Sequence, residues 1–184
     1  MSVFGNAKKV GIKKEALDTR KWISDEELYS LFFEETKEGL VMYDVFKILN
    51  WLRVKNYKDM QDNPNVEELT QMKAMKLLYY IQAASLSITG RRMFDNNIVA
   101  WKYGPAIEEV HEVYKHCRGI VDSDYPITLE DKKDYNELQN DKESSDILEG
   151  VYSVYGYKSA YDLMRQTHTE DPWLNTEQSH VISD

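Results

Sequence analysis

The amino-acid sequence predicts a mainly α-helical protein, a compact multi-helix single domain with a short extended segment and a flexible N-terminal leader. Three observations predict it. From Tyr43 to about Tyr57, apolar Val45, Ile48, Leu49 and Leu52 recur at one-face helical spacing. From Thr70 to about Ile88, Met72, Met75, Leu77, Leu78, Tyr79, Ile81 and Ala84 surround the axis almost completely, as in a helix at the centre of a domain. Ser24 with Glu27, and Thr128 with Asp131, are side-chain pairs at the spacing of helix N-terminal caps.

Taken in order, residues 1–23 carry Gly5, Gly11 and four lysines by Lys14 without an apolar period, and form a basic leader. A helical domain is expected over 24–176 and a polar, frayed tail over 177–184. Ser24 starts a helix with Leu28, Leu31 and Phe32 on one face, stopped at Gly39. The 43–57 helix sets Lys47, Asn50 and Arg53 between its apolar positions, and Asp62, Asn63 and Pro64 break the pattern.

The 70–88 helix has Lys73 and Lys76 as a narrow polar stripe and ends at Gly90. The stretch from Arg91 to Trp101 reads as an extended connection. Gly104 and Pro105 read as a turn into a helix, because proline suits the first turn, where its missing donor would be unpaired anyway. That helix places Ile107, Val110, Tyr114 and Cys117 inward and Glu108, Glu109, Glu112 and Lys115 in water, and closes at Gly119. Thr128 opens a charged, exposed helix over Glu130 to Glu143. Ser144 or Ser145 caps another, with Ile147, Leu148, Val151 and Tyr155 inward, stopping at Gly156. Tyr157 to about Gln166 is the last helix, with Ala160, Leu163 and Met164 inward, and Pro172 ends regular structure.

The formal net charge of −9 disfavours sequence-independent binding to phosphate backbones, which needs clustered Lys and Arg. The charge is uneven: residues 1–23 hold six basic side chains against two acidic ones, and residues 122–149 hold ten acidic against three basic. Cys117 is the single cysteine, so neither an intramolecular disulfide nor a multi-cysteine zinc site can form. No run of 18 apolar residues occurs, and Met1 to Ile12 lacks the apolar core of a signal peptide; the expected location is cytoplasmic, with no membrane partner.

Catalytic patterns are missing. The eight glycines compose neither a dinucleotide-binding nor a phosphate-loop spacing, and no serine elbow occurs. His111 and His116 are five residues apart, which turns them away from the shared face that zinc requires. Cys117 reads as a small hydrophobe. His168 with Asp171 could orient a general base, but no nucleophile lies nearby in sequence, and a hydrogen-bonded loop before Pro172 is the preferred reading. The expectation is a protein without catalytic residues, metal or cofactor. The aromatics, including Trp51, Tyr79, Tyr80, Phe94, Trp101, Tyr103, Trp173 and the tyrosines from Tyr152 to Tyr161, exceed what a helical core of this size needs, and aromatics with a polar end are enriched at protein interfaces.

One set of residues carries a resemblance. Lys76, Leu77, Leu78 and Tyr79 with Tyr80, then Phe94, then Ala100, Trp101, Lys102, Tyr103, Gly104 and Pro105, followed by Val110 and Tyr114, resemble the Panacea domain family, known from antitoxins and phage-associated proteins. Tyr155 and Gly156, Ser159 and Ala160, Leu163, Thr167 and His168, and Pro172 and Trp173 resemble the family's closing pattern, so the resemblance covers about 43–173. The departures are Met75 where the family usually has glutamine, and a long polar loop from Tyr57 to Leu69.

The resemblance implies an α-rich fold and neutralisation, by direct protein binding, of a protein toxin encoded nearby. One branch is similar to adaptors that deliver the toxin to a protease complex. The sequence hypothesis is that Lys76 to Tyr80 pack against the Trp101 to Pro105 turn, while exposed aromatics and the acidic 122–149 segment, Asp134, Glu137, Asp141 and Glu143 among it, engage the toxin. The alternative is a phage-associated DNA-binding regulator that uses the basic leader. DNA is not the favoured partner.

Overall fold

A computed structural model describes residues 42–184. The basic leader and the helix expected from Ser24 to Gly39 lie outside the described residues.

Helix α1 (Val45–Asp62) begins where the Asp44 side chain accepts from the backbone N–H of Phe46. It runs a turn beyond the expected end near Tyr57, and Lys55 faces Asp59 across that extra turn at 3.9 Å. Helix α2 (Gln71–Thr89) is capped by the Thr70 hydroxyl and closed by Gly90 at φ 69°, close to the expected 70–88. A hairpin follows, made of β1 (Val99–Trp101) and β2 (Gly104–Ala106), antiparallel with Ala100 opposite Pro105. The remaining helices are α3 (Glu108–Val113), α4 (Leu129–Asn140), α5 (Lys142–Tyr155), α6 (Ala160–Thr167) and the short α7 (Asp171–Leu174). The architecture is a compact helical domain with one small two-stranded sheet.

Helix α1 packs along α4, and α2 lies against α5, α6 and β2. Trp51 is fully buried in this core, stacked on Tyr135 with ring centroids 5.8 Å apart and meeting Tyr152 edge-on at 5.9 Å. Leu49, Leu52, Leu77, Leu78, Ile81, Ile107 and Leu148 are also fully buried.

Several elements depart from expectation. Gly104 and Pro105 are strand residues rather than a helix start, and α3 begins only at Glu108, without a side-chain cap. The reason lies in the pairing: the N–H and C=O of Ala100 both face away from β2, so Pro105 opposite it sits where no ladder donor is needed. Helix α3 stops at Val113, so Cys117 follows it and is half-buried, with Sγ 2.8 Å from the Tyr125 hydroxyl. Thr128 and Asp131 form a full capping box, but α4 is not simply a wet helix, since Asp131 and Asp134 are buried against α1. Asp141, not Ser144 or Ser145, occupies the N-cap position of α5, and Ser144 is buried. Pro172 stands in the first turn of α7 instead of ending regular structure.

The 177–184 segment is ordered against β1 rather than frayed. Ala100 N–H donates to His180 O at 2.9 Å, Ser179 N–H to Ala100 O at 2.8 Å and Ile182 N–H to Ile98 O at 2.8 Å, and the Ile182 side chain is buried.

Candidate functional site

The motif residues converge on a lysine. Lys76, read with Lys73 as a narrow polar stripe and expected to pack with Leu77 to Tyr80 against the Trp101 to Pro105 turn, is 1% exposed, and Lys73 beside it is also buried. Every residue of helix α2 from Lys73 to Gln82 is buried, so these two cationic side chains have no wet face to occupy. The Lys76 Nζ donates to the carbonyl of Pro105 at 2.8 Å, the carbonyl that β2 leaves free by turning away from β1. Burial alone pushes the Lys76 ammonium down from 10.5 to about 7, with no neighbouring carboxylate to offset it. The hairpin thus rests on a lysine whose charge is costly where it sits.

Gly104 is fixed by the same contact. It adopts φ 93° on leaving the two-residue Lys102–Tyr103 turn, a conformation suited to glycine. A Cβ there would stand 2.7 Å from Thr167 Oγ1 and 2.8 Å from Lys76 Cε. The glycine lets β2 sit directly on the α2 lysine and the end of α6 at once.

The closing pattern locks onto this junction. The Trp173 indole N–H donates to Trp101 O at 3.0 Å, and the Trp173 ring stacks on His168 with centroids 4.0 Å apart and planes at 13°. Partial burial first, and then the nearby Lys76 charge, lower the His168 imidazole below its ordinary 6.5. Ser159 caps α6 by accepting from Asp162 N–H, and Thr167 is buried at the other end of that helix. Tyr155 stacks flat on Tyr80, centroids 4.0 Å apart, and the Tyr80 hydroxyl donates to Glu170 at 2.9 Å. Burial, reinforced by Glu170, raises the phenols of Tyr79 and Tyr80. Gly156 is buried where α5 ends. Phe94, fully buried, is held by the Gln82 side chain, whose amide donates to Phe94 O at 2.9 Å and accepts from Met93 N–H at 2.9 Å.

The motif therefore divides. Lys76, Leu77, Leu78, Tyr79, Phe94, Gly104, Pro105, Gly156 and Thr167 are buried; Trp101, Tyr155, Ser159, His168 and Trp173 are half-buried; Tyr103 and Pro172 are exposed. Most of it positions the hairpin on α2 and α6. Large apolar groups are exposed at its edge: Tyr103 at the hairpin turn and, just after Trp173, Leu174, 59% and 54% exposed. Beyond them, Val154, Tyr157 and Tyr161 are exposed around the α5–α6 connection, with Arg165 over the Tyr161 ring.

The other residues considered for chemistry do not assemble. His111 meets Trp101 edge-on at 4.9 Å, and His116 lies outside α3 at φ 71°. Asp171 opens α7, while His168 is taken up by the Trp173 ring. Among the described residues no cluster of His, Cys, Asp and Glu could hold a metal ion, and no helix is long and apolar enough to cross a membrane.

The acidic segment also needs correction as a steering surface. Asp134 accepts from the Asn50 side chain at 2.8 Å, Glu137 pairs with Lys47 at 2.7 Å, and Asp141 accepts from Tyr43 OH at 3.1 Å. Asp131 pairs with buried Arg53, which also donates to the carbonyls of Ile120, Tyr125 and Pro126. The sequence sets Asn50 and Arg53 between the apolar positions of α1 and gives no sign of their acceptors, which lie some seventy to eighty positions away. Asp122, Asp124, Glu130, Glu137, Glu143 and Asp146 are the exposed carboxylates of this segment, with Glu130 beside Lys133, Glu143 beside Arg91 and Asp146 beside Lys142.

The family model described as "Antitoxin SocA-like, Panacea domain" matches residues 75–174, just over half of the chain. No curated protein and no solved structure matches. The matched span begins one residue before Lys76 and ends one residue after Trp173, enclosing the whole lysine–hairpin–tryptophan junction.

Proposed function

The chain belongs to the family of SocA-like antitoxins that carry the Panacea domain, and from that premise we propose that it neutralises a protein toxin encoded beside it by binding that toxin directly. The observation that carries this reading is that the family motif forms a mostly buried clamp, with exposed large apolar side chains at its edge and around the α5–α6 connection. Tyrosines with one apolar face and a polar end, set on rigid elements, make effective anchors in protein interfaces. Tyr103, Tyr157 and Tyr161 supply such anchors, with Leu174 as a further apolar contact, and Glu130, Glu143 and Asp146 favour approach by a basic toxin.

The protein acts in the cytoplasm, as a binder and not as an enzyme. Delivery of the bound toxin to a protease complex is the finer form of the same activity. The test is to mix the purified chain with the product of the adjacent gene and measure complex formation by calorimetry. A defined complex, weakened about 30-fold when Tyr103→Ala and Tyr157→Ala are combined, is the expected outcome, since two interface anchors of this kind are worth about 2 kcal/mol or more. No complex, together with salt-sensitive operator binding that depends on residues 1–23, would point instead to a DNA-binding regulator.

A further inference from the structure

Strand β1 has two neighbours of different character. On one side β2 is clamped by Lys76, Gly104 and Thr167. On the other lie residues 179–182, which fill the N–H and C=O of Ala100 and the C=O of Ile98. Their hold is slight: three backbone hydrogen bonds, one buried side chain at Ile182, and a 3.6 Å pair between Arg92 and Asp184. Ser179 sits at φ 65°, an unfavourable conformation for a residue with a side chain, and Val181 is exposed. Beside Ile182 an open groove of about 200 Å³ runs between α2 and β1, lined by Tyr79, Leu86, Ile98 and Pro172. Isoleucine forms one wall of that groove and leaves its volume empty.

We infer that residues 179–184 are an exchangeable strap over a strand-accepting edge, and that an extended segment of the protein partner replaces them on β1. The strap displays what the edge takes. The incoming segment runs antiparallel to β1, places an apolar side chain larger than isoleucine in the Tyr79–Leu86–Ile98 groove, and two residues later presents a carboxylate to Arg92. Ladder bonds supply affinity in such strand addition, and the side-chain pocket supplies specificity. An unpaired edge would invite indiscriminate pairing, and a resident strap prevents that until the better-fitting segment arrives. This inference rests on the reading that the partner is a protein.

The test locks the strap in the full-length chain. Val99 and Val181 face each other across a non-hydrogen-bonded pair, the close kind, so Val99→Cys with Val181→Cys in a Cys117→Ser background should join them when oxidised. Binding to the adjacent-gene product should fall at least about tenfold in the oxidised protein, return with dithiothreitol, and be indifferent to dithiothreitol in the parent chain. A locked chain that binds as well as the reduced one overturns the inference. A second readout needs no partner: amide hydrogen exchange of Ala100 and Ile182 should be at least about tenfold faster than that of Leu77 and Leu78 in α2, reporting local opening. Equal protection would mean that the strap opens only with the whole fold, and would overturn the inference too. If the parent chain fails to bind while Ala100 and Ile182 exchange quickly, the antitoxin reading fails and the strap stands as a mobile edge.

Discussion

The Nζ of Lys76 lies 2.8 Å from the carbonyl oxygen of Pro105, joining the first block of the family motif to its second across 29 residues of chain. The bond exists because a proline placed at a position where the ladder asks nothing of it leaves its carbonyl free for the helix below.

Gly104 is the tightest point of this junction. Gly104→Ala should destabilise the protein by about 2 to 4 kcal/mol, combining a positive φ with overpacking against Thr167 and Lys76. Urea unfolding midpoints measure it. A Gly104→Ala chain as stable as the parent would mean that the hairpin does not rest on α2 as described.

Lys76 gives stability a pH dependence with a definite sign. Its folded value is about 7, below the ordinary 10.5, so between these the unfolded chain holds a proton that the folded chain lacks, and stability rises with pH. The depressed His168 contributes in the same direction below pH 6.5. Above about pH 10 the raised phenols of Tyr79, Tyr80 and Tyr152 act oppositely, because the unfolded tyrosines ionise first. Urea titrations from about pH 7 to 10 should show a climb in the parent that is flattened in Lys76→Met.

Trp51 and Trp101 should separate in effect. Trp51→Ala should cost about 3 to 5 kcal/mol, the range for a fully buried large aromatic. Trp101 is half-buried, with one face against His111, and Trp101→Ala should cost clearly less in the same denaturation series.

Arg53→Ala should cost about 3 to 5 kcal/mol, because it strands the buried Asp131 carboxylate and leaves three carbonyls without their donor. Exposed carboxylates behave differently: Glu130→Gln, Glu143→Gln and Asp146→Asn together should leave stability within about 0.5 kcal/mol of the parent. They should also slow toxin association and weaken its salt dependence in stopped-flow mixing.

What the sequence made legible follows from how local each signal is. The cap of Thr70, the stop at Gly90 and the Thr128–Asp131 box involve residues within one turn of the helix end they define, and the structure has each of them. The packing of Lys76 against the Trp101–Pro105 turn follows from the motif, but the burial of Lys73 and Arg53 has no local marker, because a cation between apolar helix positions looks the same whether water or a distant carbonyl receives it. Gly104–Pro105 was ambiguous for a related reason: a missing N–H is equally harmless in a first helical turn and at an outward-facing strand position. The pairing of residues 179–182 with β1 had no local marker except the apolar Val181 and Ile182 in a polar stretch. The clamp's members were visible as a motif, whereas their division into buried support and exposed rim required the fold.

The central claim, neutralisation by direct binding, is tested most directly by growth. Cells expressing the adjacent gene alone should stop growing, and co-expression of this chain should restore growth while the two proteins are recovered together by affinity capture. Restored growth with Tyr103, Tyr157, Tyr161 and Leu174 intact, lost when these four are changed to alanine in a chain that remains folded, is the predicted result. An adjacent-gene product that is harmless by itself, or one whose toxicity this chain neither relieves nor binds, would contradict the account.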